Sequence, residues 1–251
     1  MEKINSSFAA KIVFSLAKKV NSQKFSKKVF SKVQDKFGGN IKYLVSGGAS
    51  LDREVEKDLR TLGFDVLNGY GMTECAPMIT FTRPGKFKIG SAGNKLFCNE
   101  IRIKDEEILT KGPNVMMGYY GHPKATSEIL IDGWLYTGDT GYVDDEGYLF
   151  ITGRKKETIV LSNGKNINPE EVENALMRYP EIKEAGVFEF NDSLAVVIRP
   201  ELSILMSKNE KDYLEYFRKN IIIDYNCNVS SYKQIKKIVI TEEDLPRTRL
   251  S

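Results

Sequence analysis

The sequence has little of what several kinds of site require. Its only histidine, His122, lies in a Gly-His-Pro turn, so neither a histidine-rich zinc site nor a Ser-His-Asp triad can be assembled. The three cysteines, Cys75, Cys98 and Cys227, are odd in number and widely spaced, which excludes a disulfide framework and a Cys-x-x-Cys metal site. These absences favour a protein of a reducing compartment, the cytoplasm.

Long apolar runs and a secretion signal are also missing. No uninterrupted apolar segment approaches the roughly 18 residues that a transmembrane helix needs. The N-terminus lacks the compact apolar stretch and small-residue cleavage site that secretion requires. With 251 residues, 41% hydrophobic and 28% charged, the chain has the composition of an ordinary folded protein of one or two domains.

The net charge of the chain is small, but its positive charge is concentrated in the N-terminal segment. The net charge of +3 indicates no nucleic-acid partner, yet residues 1–42 carry ten lysines against Glu2 and Asp35. Apolar residues recur there every four positions, in two stretches: Phe8, Ile12, Leu16 and Val20, then Phe25, Val29, Val33 and Phe37, where Phe30 widens the stripe. The pattern predicts amphipathic helices packed on the protein surface, with peripheral contact to an anionic membrane as the alternative.

Beyond residue 41 the pattern changes to strands and helices in alternation. Ile41 to Ser46 and Phe64 to Leu67 are typical of buried strands. Between them lies a predicted helix with its apolar face at Leu51, Val55, Leu59 and Leu62. Strand, helix and strand at this spacing predict a parallel βαβ unit. Two short hairpins are predicted between Lys86 and Gly153, one pairing Ile101 to Lys104 with Ile108 to Lys111 and the other pairing Tyr142-Val143 with Tyr148 to Ile151. They predict a small barrel-like β subdomain.

A second domain is predicted in the C-terminal part of the chain. Asn168 and Pro169 have the spacing of a helix N-cap and a first-turn proline, and Glu171 follows at the third position. Strand and helix signals then alternate to the C-terminus. The predicted fold class is therefore α/β plus α+β, with one domain at 1–154 and a small α+β domain at 155–251.

Two motifs whose residues could bind a ligand follow the two strands of the βαβ unit. Ser46 to Ala49 would let a flat ligand lie against bare backbone, although a tight turn that needs positive φ explains the glycines equally well. In the stretch Asn68 to Glu74, Tyr70 can stack on a base, Thr73 can donate to a phosphate, and Glu74 offers the oxygen that Mg²⁺ prefers. A turn capping a helix would explain any one of these residues, but not their coincidence.

Two further motifs follow in order, Trp134-Leu135-Tyr136-Thr137-Gly138-Asp139 and Gly153-Arg154. In order and spacing the four motifs resemble the adenylate-forming superfamily of acyl-CoA synthetases, luciferases and peptide-synthetase adenylation domains. The stretch from Gly153 to Glu173 is most similar to the long-chain fatty acyl-CoA synthetase branch. The resemblance covers nearly everything from Ile41 to Ser251, and it implies the C-terminal part of a large domain followed by a small mobile lid domain.

The resemblance implies a site for ATP and AMP. Its residues would be Gly47, Gly48, Ala49, Asn68, Gly69, Tyr70, Gly71, Met72, Thr73, Asp139 and Arg154. Within this set, Gly48 and Ala49 would line one face of adenine, Tyr70 would stack on the other, and Asn68 would approach the adenine amino group. Asp139 would hold the ribose, because an ionised acceptor suits both sugar hydroxyls.

The remaining implied roles concern catalysis and domain movement. Thr73 would hold the phosphates and Glu74 the magnesium ion, with Arg154 as the cationic companion of the ribose carboxylate. Lys156 falls at the family's hinge. The hairpin Ser162, Asn163 and Gly164 matches the loop that lines the thiol channel, although an Asn-Gly turn explains it equally well. The implied reaction activates a fatty acid with ATP to an acyl-adenylate, from which coenzyme A displaces AMP.

Two parts of the family pattern are missing. The phosphate loop and its lysine lie upstream of the Ser-Gly-Gly-Ala motif in the family, and nothing before Ile41 resembles them. The chain also stops at Ser251, before the closing motif and its lysine. Because adenylyl transfer depends on positioned cations, we expect little or no adenylation by this chain alone. The chain is then expected to be either truncated or completed by a separate N-terminal half, and a noncatalytic AMP-binding or membrane-associated protein is the alternative.

Overall fold

The computed structural model of the protein describes residues 8–20, 22–208, 210 and 212–246, and the chain divides into two compact units, residues 1–151 and 152–251. Each unit has its own buried hydrophobic cluster. The first seven residues of the basic front segment, the side chain of Phe8, and residues 247–251 before the expected closing motif lie outside the described residues.

Three helices open the first unit: α1, Phe8–Val20; α2, Gln23–Val29; and α3, Ser31–Lys36. Phe30 of the predicted stripe is buried, but Val29 is exposed, and the other buried positions are the polar residues Ser26 and Gln34. The Gln34 side-chain Nε2 donates to the carbonyl of Leu62 at 2.8 Å. This polar contact with the end of a neighbouring helix places the inward face one residue away from the apolar repeat.

Helix α1 carries an exposed apolar face, contrary to the prediction that its stripe packs inward. Ile12, Leu16 and Val20 are about half exposed, whereas Ala17 is buried. The small side chain of Ala17 suits a close approach to the helix Arg53–Thr61, and on that side the Lys18 ammonium lies 3.3 Å from carboxylate oxygens of Glu54 and Asp58. None of the helices in the described ranges is both long and apolar enough to cross a bilayer.

The predicted βαβ unit is confirmed as β1 (Tyr43–Ser46), α4 (Arg53–Thr61) and β2 (Asp65–Gly71). The prediction that the first strand is buried is wrong, because β1 is an edge strand of its sheet and its Tyr43 and Val45 are exposed. Strands β1 and β2 pair in parallel, with Ser46 opposite Asn68. Strand β2 extends beyond the predicted Leu67 because its second half pairs antiparallel with β3 (Met78–Phe81), which in turn pairs with β4 (Asn94–Lys95). The Asn-Gly-Tyr-Gly motif therefore lies in the strand and not after it.

An antiparallel five-stranded sheet forms the predicted β subdomain. Its elements are β5 (Glu100–Lys104), β6 (Glu107–Lys111), α5 (Pro123–Ile129), β7 (Leu130–Ile131), β8 (Trp134–Val143) and β9 (Leu149–Arg154). The strands follow the order β5-β6-β8-β7, and β9 also pairs with β8. Both predicted hairpins are confirmed, and the first turns through Asp105 and Glu106, which adopt positive φ.

The second unit is a small α+β fold built on a three-stranded sheet. Its elements are β10 (Ile159–Val160), β11 (Asn166–Ile167), α6 (Pro169–Leu176), β12 (Ile182–Glu189), β13 (Leu194–Pro200), α7 (Leu202–Ser207), α8 (Tyr213–Phe217), a π-helical turn (Arg218–Ile222), α9 (Ile223–Cys227) and β14 (Ile235–Ile240). Strand β13 is central, antiparallel to β12 and parallel to β14. Leu176, Ile198 and Phe217 are fully buried in its core.

The predicted start of α6 is confirmed by its cap. The Asn168 side-chain oxygen accepts from the backbone N–H of Glu170 at 3.0 Å, and Pro169 occupies the first helical turn. Glu171 does not complete a reciprocal capping box, because its carboxylate accepts from the Lys233 ammonium at 2.7 Å. The sequence therefore predicted the start of the helix correctly. The Glu171 side chain, however, pairs with a lysine that is distant in sequence and does not cap the helix.

A buried carboxyl in α6 leads to a pH prediction. Burial raises the pKa of Glu173, and the nearby Glu170 and Glu157 charges add to this, against the Val187 backbone N–H that donates to it at 2.8 Å. The folded state then keeps this proton to higher pH than the unfolded state, so stability falls as pH rises through the raised folded pKa.

Glu173→Gln removes this titration. We expect the variant to be as stable as the parent or more stable at neutral pH, by up to about 1 kcal/mol, because a partly buried charge no longer has to be accommodated. Urea unfolding at about pH 5 and about pH 7 measures the effect, with the exposed Glu243→Gln as control. A parent that gains stability between those values as pH rises, relative to Glu173→Gln, would contradict the prediction.

Candidate functional site

Two predicted site residues from distant parts of the sequence meet in the first unit. The Tyr70 hydroxyl in β2 donates to the Asp139 carboxylate in β8 at 2.7 Å. Tyr70 is only 8% exposed, and burial, followed by the Asp139 charge, holds the pKa of its phenol well above the usual range. Tyr70 is therefore a permanent donor that orients the carboxylate at physiological pH.

A bulge in β8 directs Asp139 toward this position. Three residues of β8, Thr137 to Asp139, lie opposite the single residue Ile108 of β6, and Gly138 adopts a positive φ of 74°. The Thr137 hydroxyl donates to the Ile108 carbonyl at 2.8 Å and accepts from the Asp139 backbone N–H at 3.1 Å. The Thr-Gly-Asp sequence therefore supplies the kink that re-aims one side chain, as bulges beside functional sites commonly do.

The glycines of the first two motifs are required for different structural reasons. Gly48 follows β1 with a φ of +86°, and a Cβ added there would meet nothing within 4 Å, which leaves open space above the backbone. A Cβ added at Gly71 would lie 1.7 Å from the Pro77 carbonyl oxygen, and one at Gly69 would lie 2.5 Å from the Met78 side chain. Gly48 thus suits a flat ligand, whereas Gly69 and Gly71 allow β2 and β3 to pack closely.

Asn68 lies two residues before Tyr70 on β2, so both side chains project from the same face of the strand. Its side-chain Nδ2 donates to Glu56 at 3.1 Å and to the Ser91 carbonyl at 3.3 Å. Its Oδ1 is buried and has no partner among the described residues. A buried acceptor without a donor is uncommon in folded proteins and suggests a place for a ligand's N–H group.

The short Thr-Glu segment forms a 3₁₀ turn, Thr73–Cys75, immediately after β2. Thr73 is exposed, and Met72 packs against the hydrophobic cluster of the unit. The Glu74 carboxylate accepts from the Tyr119 hydroxyl at 2.6 Å, a contact that raises the pKa of Tyr119 to about 12. Ala49, from the first motif, is also exposed and lies in the loop after β1.

The fit of a magnesium ion at Glu74 depends on additional ligands. No group of three or more histidine, cysteine, aspartate or glutamate side chains in the described part of the chain could hold a metal. Mg²⁺, however, is commonly held by one or two carboxylates together with substrate phosphates. The partly buried Glu74 fits that arrangement, in which a nucleotide brings the remaining oxygens.

Arg154 and Lys156 belong to the second unit, whereas the site residues described above belong to the first. The Arg154 carbonyl, at the end of β9, accepts from the backbone N–H groups of Glu157 and Thr158 at 3.1 and 3.0 Å. Lys156 is exposed in the resulting turn, a few residues after the division between the two units. This position is suitable for a hinge, and the hinge role stays a prediction.

The predicted thiol-channel loop is held by a residue that the sequence analysis did not identify. Asp192, in the β12–β13 turn, accepts from the Ser162 backbone N–H at 2.6 Å and also from the Ser162 hydroxyl. These two bonds lower the pKa of the Asp192 carboxyl, the hydroxyl more than the backbone group. Within the loop, Asn163 accepts from the Lys165 N–H at 3.0 Å, and Gly164 adopts a positive φ.

Replacing Asp192 should therefore loosen this loop. In Asp192→Ala the Ser162 amide loses its acceptor, so we expect its hydrogen exchange to accelerate several-fold while the core of the second unit is unaffected. Asp192→Asn is the matched control, since its side-chain oxygen can still accept from the backbone N–H. Equal exchange rates for Ser162 in all three proteins would show that Asp192 does not hold the loop.

Sequence reasoning also missed Glu56 and Tyr119, which contact predicted residues from outside the four motifs. The predicted apolar face of α4 did not include Glu56, and Tyr119 lies in a Gly-Tyr-Tyr-Gly loop that no motif covered. A glutamate one position after the expected inward residue Val55 carries no local signal of burial. An aromatic pair between glycines was the only available signal for Tyr119.

Comparison with known proteins gives a consistent family. The family profile described as AMP-binding enzyme matches residues 6–120, and the profile described as AMP-binding enzyme C-terminal domain matches residues 156–250. The long-chain-fatty-acid–CoA ligase FadD15 of Mycobacterium bovis is 40% identical over 164 residues, 65% of this chain and 27% of that protein. The 2-succinylbenzoate–CoA ligase of Listeria monocytogenes is 34% identical over 212 residues, 83% of this chain and 44% of that protein.

Solved structures agree with the fold. O-succinylbenzoate coenzyme A synthetase (MenE) from Bacillus subtilis, in complex with ATP and magnesium, superposes with a TM-score of 0.69 at 32% identity, covering 82% of this chain and 44% of that one. Its AMP complex gives a TM-score of 0.71 at 29% identity, covering 90% and 47%. The chain spans less than half the length of these relatives. It belongs to the AMP-binding enzyme superfamily of adenylate-forming proteins.

Proposed function

We propose that this chain is the C-terminal portion of an acyl-CoA ligase that binds AMP and ATP in its first unit. The observation that carries the proposal is the hydrogen bond of Tyr70 to Asp139, which joins an aromatic ring and an oriented carboxylate 69 positions apart in sequence. An aromatic face suits the purine and an ionised carboxylate suits the ribose hydroxyls. The open backbone at Gly48 and the oxygen of Asn68, which has no partner within the described part of the chain, support the same ligand.

The remaining residues would serve the phosphates and coenzyme A. Thr73 would donate to a phosphate oxygen, and Glu74 would hold Mg²⁺ together with the nucleotide. When bound, the ion would neutralise charge that develops on the phosphates during adenylation. Arg154 would assist the ribose contact and Lys156 would act as the hinge between the two half-reactions. The hairpin of Ser162, Asn163 and Gly164, held by Asp192, would line the path of the coenzyme A thiol.

Calorimetric titration of the chain with AMP tests the nucleotide site directly. We expect saturable binding of one equivalent. A chain that is folded by circular dichroism and yet releases no heat with AMP, and shows no AMP-dependent rise in melting temperature, would contradict the proposed function.

We propose a long-chain fatty acid as the carboxylate substrate, with 2-succinylbenzoate as the second candidate. FadD15, at 40% identity, favours the first, and the longer alignment with the 2-succinylbenzoate ligases favours the second. Two chimeras separate them, in which the unmatched N-terminal part of either relative precedes residue 41 of this chain and the closing segment of the same relative, with its lysine, follows residue 251. The fatty-acid proposal predicts acid-dependent exchange of pyrophosphate into ATP with the FadD15 part only. Exchange with the MenE-type part alone would contradict it.

Peripheral membrane contact is a second candidate property, favoured by the exposed face of α1. Ile12, Leu16 and Val20 are exposed on a helix that also carries Lys18 and Lys19 in its last turn. A basic helix with an exposed apolar stripe suits an anionic bilayer. Flotation with anionic vesicles tests this, with Leu16→Asp as the variant. Flotation of neither protein would contradict the proposal.

A further inference from the structure

The side chain of Glu56 is fully buried at the centre of a hydrogen-bonded cluster in the first unit. Its Oε1 accepts from Arg60 Nε at 3.0 Å. Its Oε2 accepts from the Gly90 backbone N–H at 2.9 Å and from Asn68 Nδ2 at 3.1 Å. A carboxylate can accept at both oxygens and donates at neither, so every neighbour of Glu56 must present a donor.

This requirement fixes the orientation of the Asn68 amide. The two groups nearest its Nδ2 are the Glu56 carboxylate and the Ser91 carbonyl, both of which accept. An amide turned by 180° would place Oδ1 against two acceptors and lose both bonds. The orientation with Nδ2 toward Glu56 is therefore the favoured one, and it leaves Oδ1 as the group available to a ligand.

We infer that Glu56 is a positioning residue that sets base specificity, by holding Asn68 so that the site offers an acceptor and no donor to the base edge. A 6-amino purine such as adenine can donate to that acceptor, whereas a 6-oxo purine would place an oxygen against it. The inference rests on the proposed function, in which Asn68 lies beside the purine. It goes further than the proposed function because it assigns the choice of base to Glu56, a buried side chain of helix α4 that does not itself contact the base.

The isosteric change Glu56→Gln separates the orientation of Asn68 from its presence. Either orientation of the glutamine loses a bond, because its amide nitrogen faces either Arg60 Nε or the Gly90 backbone N–H. The charge-assisted bond to Arg60 is the stronger of the two, so the glutamine oxygen should face Arg60 and its nitrogen should face Asn68, with loss of the Gly90 bond. Asn68 then gains a hydrogen bond if its amide turns so that Oδ1 accepts from that nitrogen. In this orientation its Nδ2 is left for the ligand. The carbonyl of Ser91 opposes the turn, so the preference for an amino group should be lost and not fully reversed.

Calorimetry with AMP and inosine monophosphate measures the effect on the full chain. For the parent we expect AMP to bind at least about tenfold more tightly than inosine monophosphate, and for Glu56→Gln we expect the ratio to fall to about one. The control is Glu54→Gln on the same helix, a half-exposed residue paired with Lys18 and Lys57, which should keep the parent ratio. Circular dichroism establishes that each variant is folded.

A folded Glu56→Gln that keeps the parent ratio would overturn the inference and leave the nucleotide site intact. If that variant does not fold, Asn68→Ala replaces it, because the inference requires that removal of the amide also brings the ratio to about one; an unchanged ratio would overturn it. A parent that binds both nucleotides equally would overturn it as well. A parent that binds neither would contradict the proposed function and the inference together.

Discussion

Replacement of Glu56 with alanine should lower the free energy of unfolding of the first unit by about 3 kcal/mol. The substitution removes the acceptor of three donors at once and leaves Arg60 largely buried, with a side chain 11% exposed, without its closest carboxylate. Loss of one member of a buried ion pair typically costs about 3–5 kcal/mol. The low end applies because Arg60 keeps Asp65 and the Val66 carbonyl as acceptors.

The single tryptophan of the chain, Trp134 in β8, makes this measurement selective for the first unit. Its fluorescence during thermal unfolding should show a midpoint lower by roughly 6–12 °C in Glu56→Ala, given about 2–4 °C per kcal/mol for a unit of this size. Glu54→Ala is the control, because its pairs with Lys18 and Lys57 are on the surface and should contribute under about 1 kcal/mol. Equal midpoints for the two variants would show that burial of Glu56 does not stabilise the unit.

Asp139→Ala should weaken AMP binding by roughly 10- to 100-fold, the loss that corresponds to hydrogen bonds of a charged acceptor. In the proposed complex the carboxylate accepts from the ribose hydroxyls and also from the Tyr70 hydroxyl, at 2.7 Å. Asp139→Asn keeps the shape but replaces one acceptor with a donor, so it should lose most of the same affinity. Calorimetry with AMP is the measurement.

Tyr70→Phe provides the graded comparison for this prediction. It keeps the ring for stacking and removes only the donor that orients Asp139, so we expect a several-fold loss, smaller than that of Asp139→Ala. Trp134 fluorescence establishes that the first unit of each variant is folded. Parent-like AMP affinity in Asp139→Ala would remove Asp139 from the nucleotide site.

Local patterns in the sequence predicted much of the fold. The βαβ unit, the two hairpins and the N-cap at Asn168 are confirmed because each depends on residues close together in the chain, whose turn and cap chemistry is encoded locally. The positions of Tyr70 and Asp139 were predicted from the resemblance, and their direct hydrogen bond is a result of the structure. A bulge at Gly138, which single-sequence periodicity does not reveal, accounts for it.

The misassigned residues share a different cause. Helical periodicity placed Val55 inward, yet Glu56 is buried and Val55 is exposed. The donors that stabilise Glu56 include Asn68 and Gly90, which are 12 and 34 residues away, so no local sequence pattern could predict its burial. The inward face of α3 was likewise decided by the contact of Gln34 with Leu62. In both cases a long-range hydrogen bond outweighed the hydrophobic repeat.

The central claim is that the first unit binds a nucleotide between the open backbone at Gly48, the ring of Tyr70 and the carboxylate of Asp139. A crystal structure of the chain with AMP tests it most directly. The account predicts the purine stacked on Tyr70 and both ribose hydroxyls within hydrogen-bond distance of Asp139. A nucleotide bound elsewhere, with its base away from Tyr70 and its hydroxyls away from Asp139, would contradict it.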